Sequence, residues 1–123
     1  MPWQFQQSTG NLNNPDGVQV GQGYSGNGED LDNPAEQQVL GHGPIPQGSW
    51  SIGAFFDDPG GKGPIVAHLL PNDGTLTFGR SGFMIHGDNA AADHTASEGC
   101  IILARPLREM IAASTDRDLL VVA

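Results

Sequence analysis

Glycine and proline interrupt this chain so often that long regular elements have little room. Together they make up 27 of 123 residues, 18 Gly and 9 Pro. They show no Gly-X-Y period, so a collagen helix is excluded, and their frequency points away from a helical bundle. The expectation is a turn-rich, mainly β fold. Domains commonly run about 100–150 residues, so residues 1–123 are read as one domain. Hydrophobic residues make up 37%, including 5 Phe and 2 Trp, which is enough for a core rather than a disordered chain. No apolar run approaches the roughly 20 residues of a membrane-spanning helix, and no membrane span is expected.

Charge narrows the partners. Five Lys and Arg face 14 Asp and Glu, for a net charge of −9, and no basic residue precedes Lys62. Nucleic acid and anionic lipid need a basic footprint, so neither is expected. The opening residues, MPWQFQQSTG, lack a basic n-region and an apolar h-region. The expectation is a chain without a signal peptide, made in the cytoplasm. Cys100 is the single cysteine, so an internal disulfide is excluded. Such a cysteine is either a small buried hydrophobe or a reactive thiol, and its neighbours must decide.

Along the chain, Trp3 and Phe5 alternate with Gln4 and Gln6 as in a half-buried strand. Asn14-Pro15-Asp16-Gly17 is a turn signal before a short β segment at 18–20, and GQGYSGNGED reads as a glycine-rich loop. Asn33, Pro34 and Glu36 occupy capping positions for a short helix over 34–39. Trp50 and Ile52 share one face of a strand. Residues 57–64 read as a loop, and 65–70 and 75–78 flank PNDG as a hairpin. Over 82–88, pleating puts Phe83 and Ile85 on one face and Met84, His86 and Asp88 on the other. Pro106 opens a helix with Leu107, Met110 and Ile111 on its apolar side. Residues 119–122 form a closing strand.

The chemistry concentrates in GFMIHGDNAAADHTASEGCIIL, residues 82–103. A thiolate, not a thiol, is the nucleophile, so a cysteine needs a base nearby. His86, at the end of an apolar strand, can supply it. A backbone carbonyl, Asp88 or Glu98 can orient the imidazole. Gly99 allows close approach of substrate, and the Cys100 amide with a neighbouring amide can bind an oxyanion. Two other readings stay open. Cys100 before Ile101-Ile102-Leu103 suits plain core packing. His86, Asp88, His94 and Cys100 are acceptable zinc-ligand types, although their spacing matches no common zinc pattern. His42 and His68 have no partner set. Tyr24 and Trp50 suit either a groove wall or the core.

IHGD followed by SEGCIIL resembles the His/Ser-x-Gly-Cys signature of the L,D-transpeptidase (YkuD-like) catalytic domain. With WQFQQSTGNL, GYSGNG, GPIPQGSWSIG, FGRSGFMIHGD and SEGCIILARPLRE, the chain from Trp3 to Val122 is similar to the type VI secretion L,D-transpeptidase effector family. The resemblance implies a β-rich YkuD-like fold with one or two short helices and a cysteine enzyme that needs no metal or other cofactor. Its substrate would be peptidoglycan stem peptides, cleaved between meso-diaminopimelate and D-Ala or exchanged for a D-amino acid. By position Cys100 is the nucleophile, His86 the base, and Gly87 the residue whose carbonyl orients His86. Gly99 joins the catalytic turn, and Arg80, Asp88 and Ser97 are substrate-side candidates. Arg80 suits a substrate carboxylate, and Asp88 suits the free amine of diaminopimelate.

One departure is Glu98, where the commoner motif has His before Gly-Cys. The His-to-Cys spacer is also shorter. This favours carboxypeptidase or exchange chemistry over bulk cross-linking. The resemblance further implies antibacterial action in the periplasm of a target cell after secretion, and a cognate immunity protein. The alternatives are a zinc-dependent cell-wall peptidase using His86, His94 and Cys100, and an inactive cell-wall or partner-binding module.

Overall fold

The structure is a computed structural model that describes residues 2–27, 31–58, 63–88, 97 and 99–123. Its elements run β1 (Trp3–Gln6), β2 (Asn11–Asn13), β3 (Gln19–Gln22), β4 (Tyr24–Ser25), β5 (Gly48–Ile52), β6 (Phe56–Asp58), β7 (Gly63–Pro71), β8 (Met84–His86), β9 (Ile101–Ile102), α1 (Arg105–Ala113) and β10 (Asp118–Val122). The fold is mainly β, as expected, with one α-helix among the described residues. None of its described helices is long and apolar enough to cross a membrane.

The strands lie in the order β3-β2-β1-β10-β5-β7-β8-β9-β4, with β6 paired to β7. The β1–β10 and β8–β9 pairs are parallel, and the others are antiparallel. β3 and β4 stand at opposite ends of this order, yet only Gly23 separates them in the chain. The sheet is therefore nearly closed on itself. The joint is tight: Gly23 N donates to Gly10 O at 2.8 Å. A Cβ on Gly23 would collide with the carbonyl oxygen of Ile102, and one on Gly10 with that of Gly23.

Alternation builds the core. The register sets Trp3 beside Leu119, and Leu119 beside Trp50, so one row of large side chains crosses three strands. All three are buried, each contributing about 1.5–3 kcal/mol relative to exposure. Trp50 meets Phe83 edge-on with ring centroids 5.1 Å apart, and its Nε1 donates to Pro46 O at 3.1 Å. Trp50 is thus a core residue. A smaller cluster, Tyr24, Val66, Met84, Cys100 and Ile102, packs separately. Phe83 and Ile85 belong to the main cluster and Met84 to the smaller one, the division of faces that the pleat requires.

Several elements differ from the sequence reading. Residues within the presumed glycine loop form β3 and β4, because Gly21 and Gly23 admit neighbours: a Cβ on Gly21 would lie 2.5 Å from Leu107 of α1. The segment 34–39 forms only a 3₁₀ turn, Pro34–Glu36, capped by the Asn33 side chain. PNDG makes a turn but no hairpin. After it, Thr75 donates its hydroxyl to Ser49 O at 2.7 Å, and β7 pairs with β5, β6 and β8 instead. β6 and the start of β7 fall inside the presumed 57–64 loop. On α1, Met110 is 42% exposed, and Arg108 joins Leu107 and Ile111 on the buried side.

Gly23→Ala is expected to lower stability by about 2–4 kcal/mol, because the clash is with backbone that cannot rotate away. Urea denaturation measures it, and an unchanged midpoint would mean that the joint has slack.

Candidate active site

Cys100 and His86 come together through the β8–β9 pair. The register is Ile85↔Ile101 and His86↔Ile102, so Cys100 stands level with Met84. Side chains two apart on a strand share a face, which puts Cys100, Met84, His86 and Ile102 on one side. The two Cα atoms are diagonal neighbours at about 8 Å, from a 3.3 Å rise and a 4.8 Å strand spacing. Both side chains are covered, Cys100 at 8% exposure and His86 at 3%. Cys100 Sγ lies 3.8 Å from Gly82 O.

The imidazole is oriented by its own neighbour. His86 Nδ1 lies 2.8 Å from the Gly87 carbonyl oxygen. A carbonyl only accepts, so Nδ1 carries the proton and Nε2 presents the lone pair. The Gly87 carbonyl thus holds the ring in one orientation. Asp88 Oδ1 accepts from the Tyr24 hydroxyl at 2.7 Å.

The turn before Cys100 is held by two buried hydroxyls. Ser97 Oγ donates to Cys100 O at 2.6 Å and accepts from Gly99 N at 3.1 Å and Gly26 N at 2.9 Å. Ser25 Oγ donates to Gly99 O at 3.0 Å and accepts from Ile45 N at 2.8 Å. Ser97 thus braces the turn. Gly99 has φ +127°, which favours glycine. Its amide is committed to Ser97, so it does not line an oxyanion site in this conformation.

Two buried arginines stand behind the two glycines that adjoin Cys100 and His86. Arg80, 5% exposed, donates to the carbonyls of Gln37, Gly43 and Pro44 and lies over the Phe83 ring at 5.1 Å. A Cβ on Gly99 would collide with its Nη2. Burial lowers the Arg80 pKa, and the charge of Cys100 raises it again. The group read as a substrate anchor is therefore built into the wall behind Cys100. Arg108, 6% exposed, holds the carbonyls of Pro64 and Ile65. A Cβ on Gly87 would lie 2.9 Å from its Nη2. Burial lowers its pKa, and Arg105 lowers it further against Glu109.

His68 stacks on Phe56 at 5.3 Å, away from this chemistry. His94 and Glu98 lie outside the described residues. Among the described residues, no three His, Cys, Asp or Glu side chains group as metal ligands. Sequence reasoning missed Ser25 and Arg108. Ser25 sits in a glycine-rich run whose pattern signals only flexibility, and its partners are 20 and 74 residues away.

Ser97→Ala removes three buried hydrogen bonds at once. It is expected to cost about 2–3 kcal/mol, read as a lowered denaturation midpoint. An unchanged midpoint would show that the hydroxyl does not brace the turn.

A family model described as the Tlde1 domain matches residues 19–121 of the chain. Comparison with curated proteins and with solved structures gave no match.

Proposed function

Because this chain belongs to the Tlde1 domain family of type VI secretion effectors, we propose that it is a cysteine L,D-carboxypeptidase/L,D-transpeptidase acting on the tetrapeptide stems of peptidoglycan. The observation that carries the reading is the imidazole pinned by Nδ1 to Gly87 O at 2.8 Å, with Cys100 on the same face two residue pairs away. That pairing of an oriented base and a thiol is what nucleophilic acyl transfer needs.

In this reaction His86 Nε2 takes the Cys100 proton. The thiolate attacks the carbonyl carbon between meso-diaminopimelate and the terminal D-Ala. Arg80, behind Gly99, places a fixed positive charge that favours the anionic sulfur. The Cys100 amide stabilises the oxyanion, since the Gly99 amide is committed to Ser97. The C–N bond then breaks, and the His86 imidazolium gives its proton to the departing D-Ala amine. Water resolves the thioester to a tripeptide stem, a free D-amino acid replaces D-Ala, or the amine of another stem makes a cross-link. The site of action is the periplasm of a target bacterium, and the producing cell carries an immunity protein that blocks the site.

Tetrapeptide-rich peptidoglycan, digested with and without a free D-amino acid and read by mass spectrometry, tests the reading. Wild-type protein is expected to remove or replace D-Ala. Cys100→Ala is expected to abolish both, and His86→Ala to slow them by about 10³-fold or more. Full activity in Cys100→Ala would sink the nucleophile assignment, and an unchanged wild-type digest would sink the reading itself.

A further inference from the structure

The bond that orients His86 ends on a glycine, the residue least able to fix its own carbonyl. His86 Nδ1 lies 2.8 Å from Gly87 O. A side chain at position 87 is excluded, because its Cβ would lie 2.9 Å from Nη2 of Arg108. Glycine has the widest backbone freedom of any residue, so its neighbours must set where that carbonyl points. The Gly87 carbonyl and the Asp88 amide share one rigid peptide plane. The chain is fixed before that plane: His86, the last residue of β8, accepts through its carbonyl from Leu103 N at 3.1 Å. Asp88 follows the plane and lies beyond the end of β8.

Asp88 is tied by its side chain to β4. Its Oδ1 accepts from the Tyr24 hydroxyl at 2.7 Å, across 64 residues of chain. The register makes this reach possible. Tyr24 pairs with Ile102, and Ile102 pairs with His86, so the three form one row across β4, β9 and β8. Paired residues on neighbouring strands share a face, and two strand spacings, about 10 Å, separate the ends of the row. Tyr24 is 5% exposed and packs with Ile102 and Cys100 in one buried cluster. Packing therefore holds the phenol, and the phenol presents its hydroxyl at a fixed point just past His86. Asp88 itself is exposed, so this bond gives a surface carboxylate a defined place.

We propose that Tyr24 is a positioning residue for the thiol chemistry: through Asp88 it fixes the Gly87 carbonyl, and through that carbonyl it sets the tautomer of His86. The reaction that it serves rests on the stem-peptide reading above. With the carbonyl in place, Nδ1 keeps its proton and the Nε2 lone pair can take the proton of Cys100. With the carbonyl released, the proton redistributes between the two nitrogens. A neutral ring protonated on Nε2 has no acceptor there for the thiol proton.

The test reads the tautomer directly, from the ring nitrogen chemical shifts of His86 in the full chain. The spectra are taken in the Cys100→Ala background at about pH 8, well above the ordinary imidazole pKa of about 6.5. With Tyr24 present, the proton is expected on Nδ1. Tyr24→Phe removes the hydroxyl and keeps the ring, and the Nε2-protonated form is expected to become comparably populated. Asp88→Ala, at an exposed position, is expected to do the same and serves if Tyr24→Phe fails to fold. Asp88→Asn keeps an oxygen that accepts from Tyr24 and is expected to restore the Nδ1 form. A ring that stays protonated on Nδ1 in the folded Tyr24→Phe or Asp88→Ala chain would overturn the proposal. So would an asparagine variant that behaves like alanine, since charge rather than the bond would then be at work.

In the peptidoglycan digest, Tyr24→Phe with Cys100 intact is expected to lower kcat about 10–100-fold, with KM changed less than about twofold. A raised KM with kcat unchanged would make Tyr24 a substrate contact and overturn the positioning role. A hydroxyl that only stabilises the fold would lower the denaturation midpoint and leave tautomer and kcat as they are. The two readings fail separately. No digestion by wild-type protein refutes the stem-peptide reading, and the tautomer still decides the role of Tyr24. An unchanged tautomer beside Cys100-dependent digestion refutes the positioning role alone.

Discussion

The backbone contact at Gly23 is the constraint on which the rest of the molecule depends. One residue carries the chain from β3 at one edge of the sheet to β4 at the other. An exposed edge of unpaired amides invites pairing with another chain, and near-closure leaves little of it. The same step delivers Tyr24 and Ser25 to β9, in register with Ile102 and Ile101. Tyr24 then reaches Asp88, and Ser25 reaches the carbonyl of Gly99. A side chain at position 23 would push β4 off Ile102 and loosen both contacts together.

The site is rigid by construction rather than by size. Two serine hydroxyls, both fully buried, fix the turn that presents Cys100 and take part in five hydrogen bonds between them. Buried hydroxyls of this kind are stable only when their partners are in place, so the turn has one well-defined shape. The arginines add a second layer. Each holds a loop by its carbonyls while pressing on a glycine next to Cys100 or His86. Arg80 ties residues 37–44 to the wall behind Cys100, and Arg108 ties the start of β7 to the residue after His86.

What the sequence makes legible follows range. Trp3, Phe5, Trp50, Ile52, Leu119 and Val121 declare their strands because alternation is local. The pairing of His86 with Cys100 is legible because strand parity and a short motif carry it, and the Gly87 carbonyl lies one residue from the ring that it orients. The Tyr24–Asp88 bond spans 64 residues, and nothing local marks it. The hairpin expected at PNDG fails because turn residues specify a turn, not the strand that follows, and Ser49 captures Thr75. On α1, helical spacing selects Met110 as readily as Arg108. A guanidinium is buried here because the Pro64 and Ile65 carbonyls receive it, which no periodicity encodes. Arg80, which the sequence offers as an anchor for a substrate carboxylate, is bonded to three backbone carbonyls, and nothing local to it announces those partners.

The parallel pairing of β1 with β10 has a consequence in time. Trp3 lies beside Leu119 and Gln6 beside Val122, and β10 in turn carries β5. The middle of the sheet therefore joins the first strand of this domain to its last. Contacts of such separation form late and slowly. A nascent chain, however far advanced, lacks the seam between β1 and β5 until its closing strand is free. The centre of the domain therefore closes in one step, when β10 arrives between β1 and β5, rather than strand by strand.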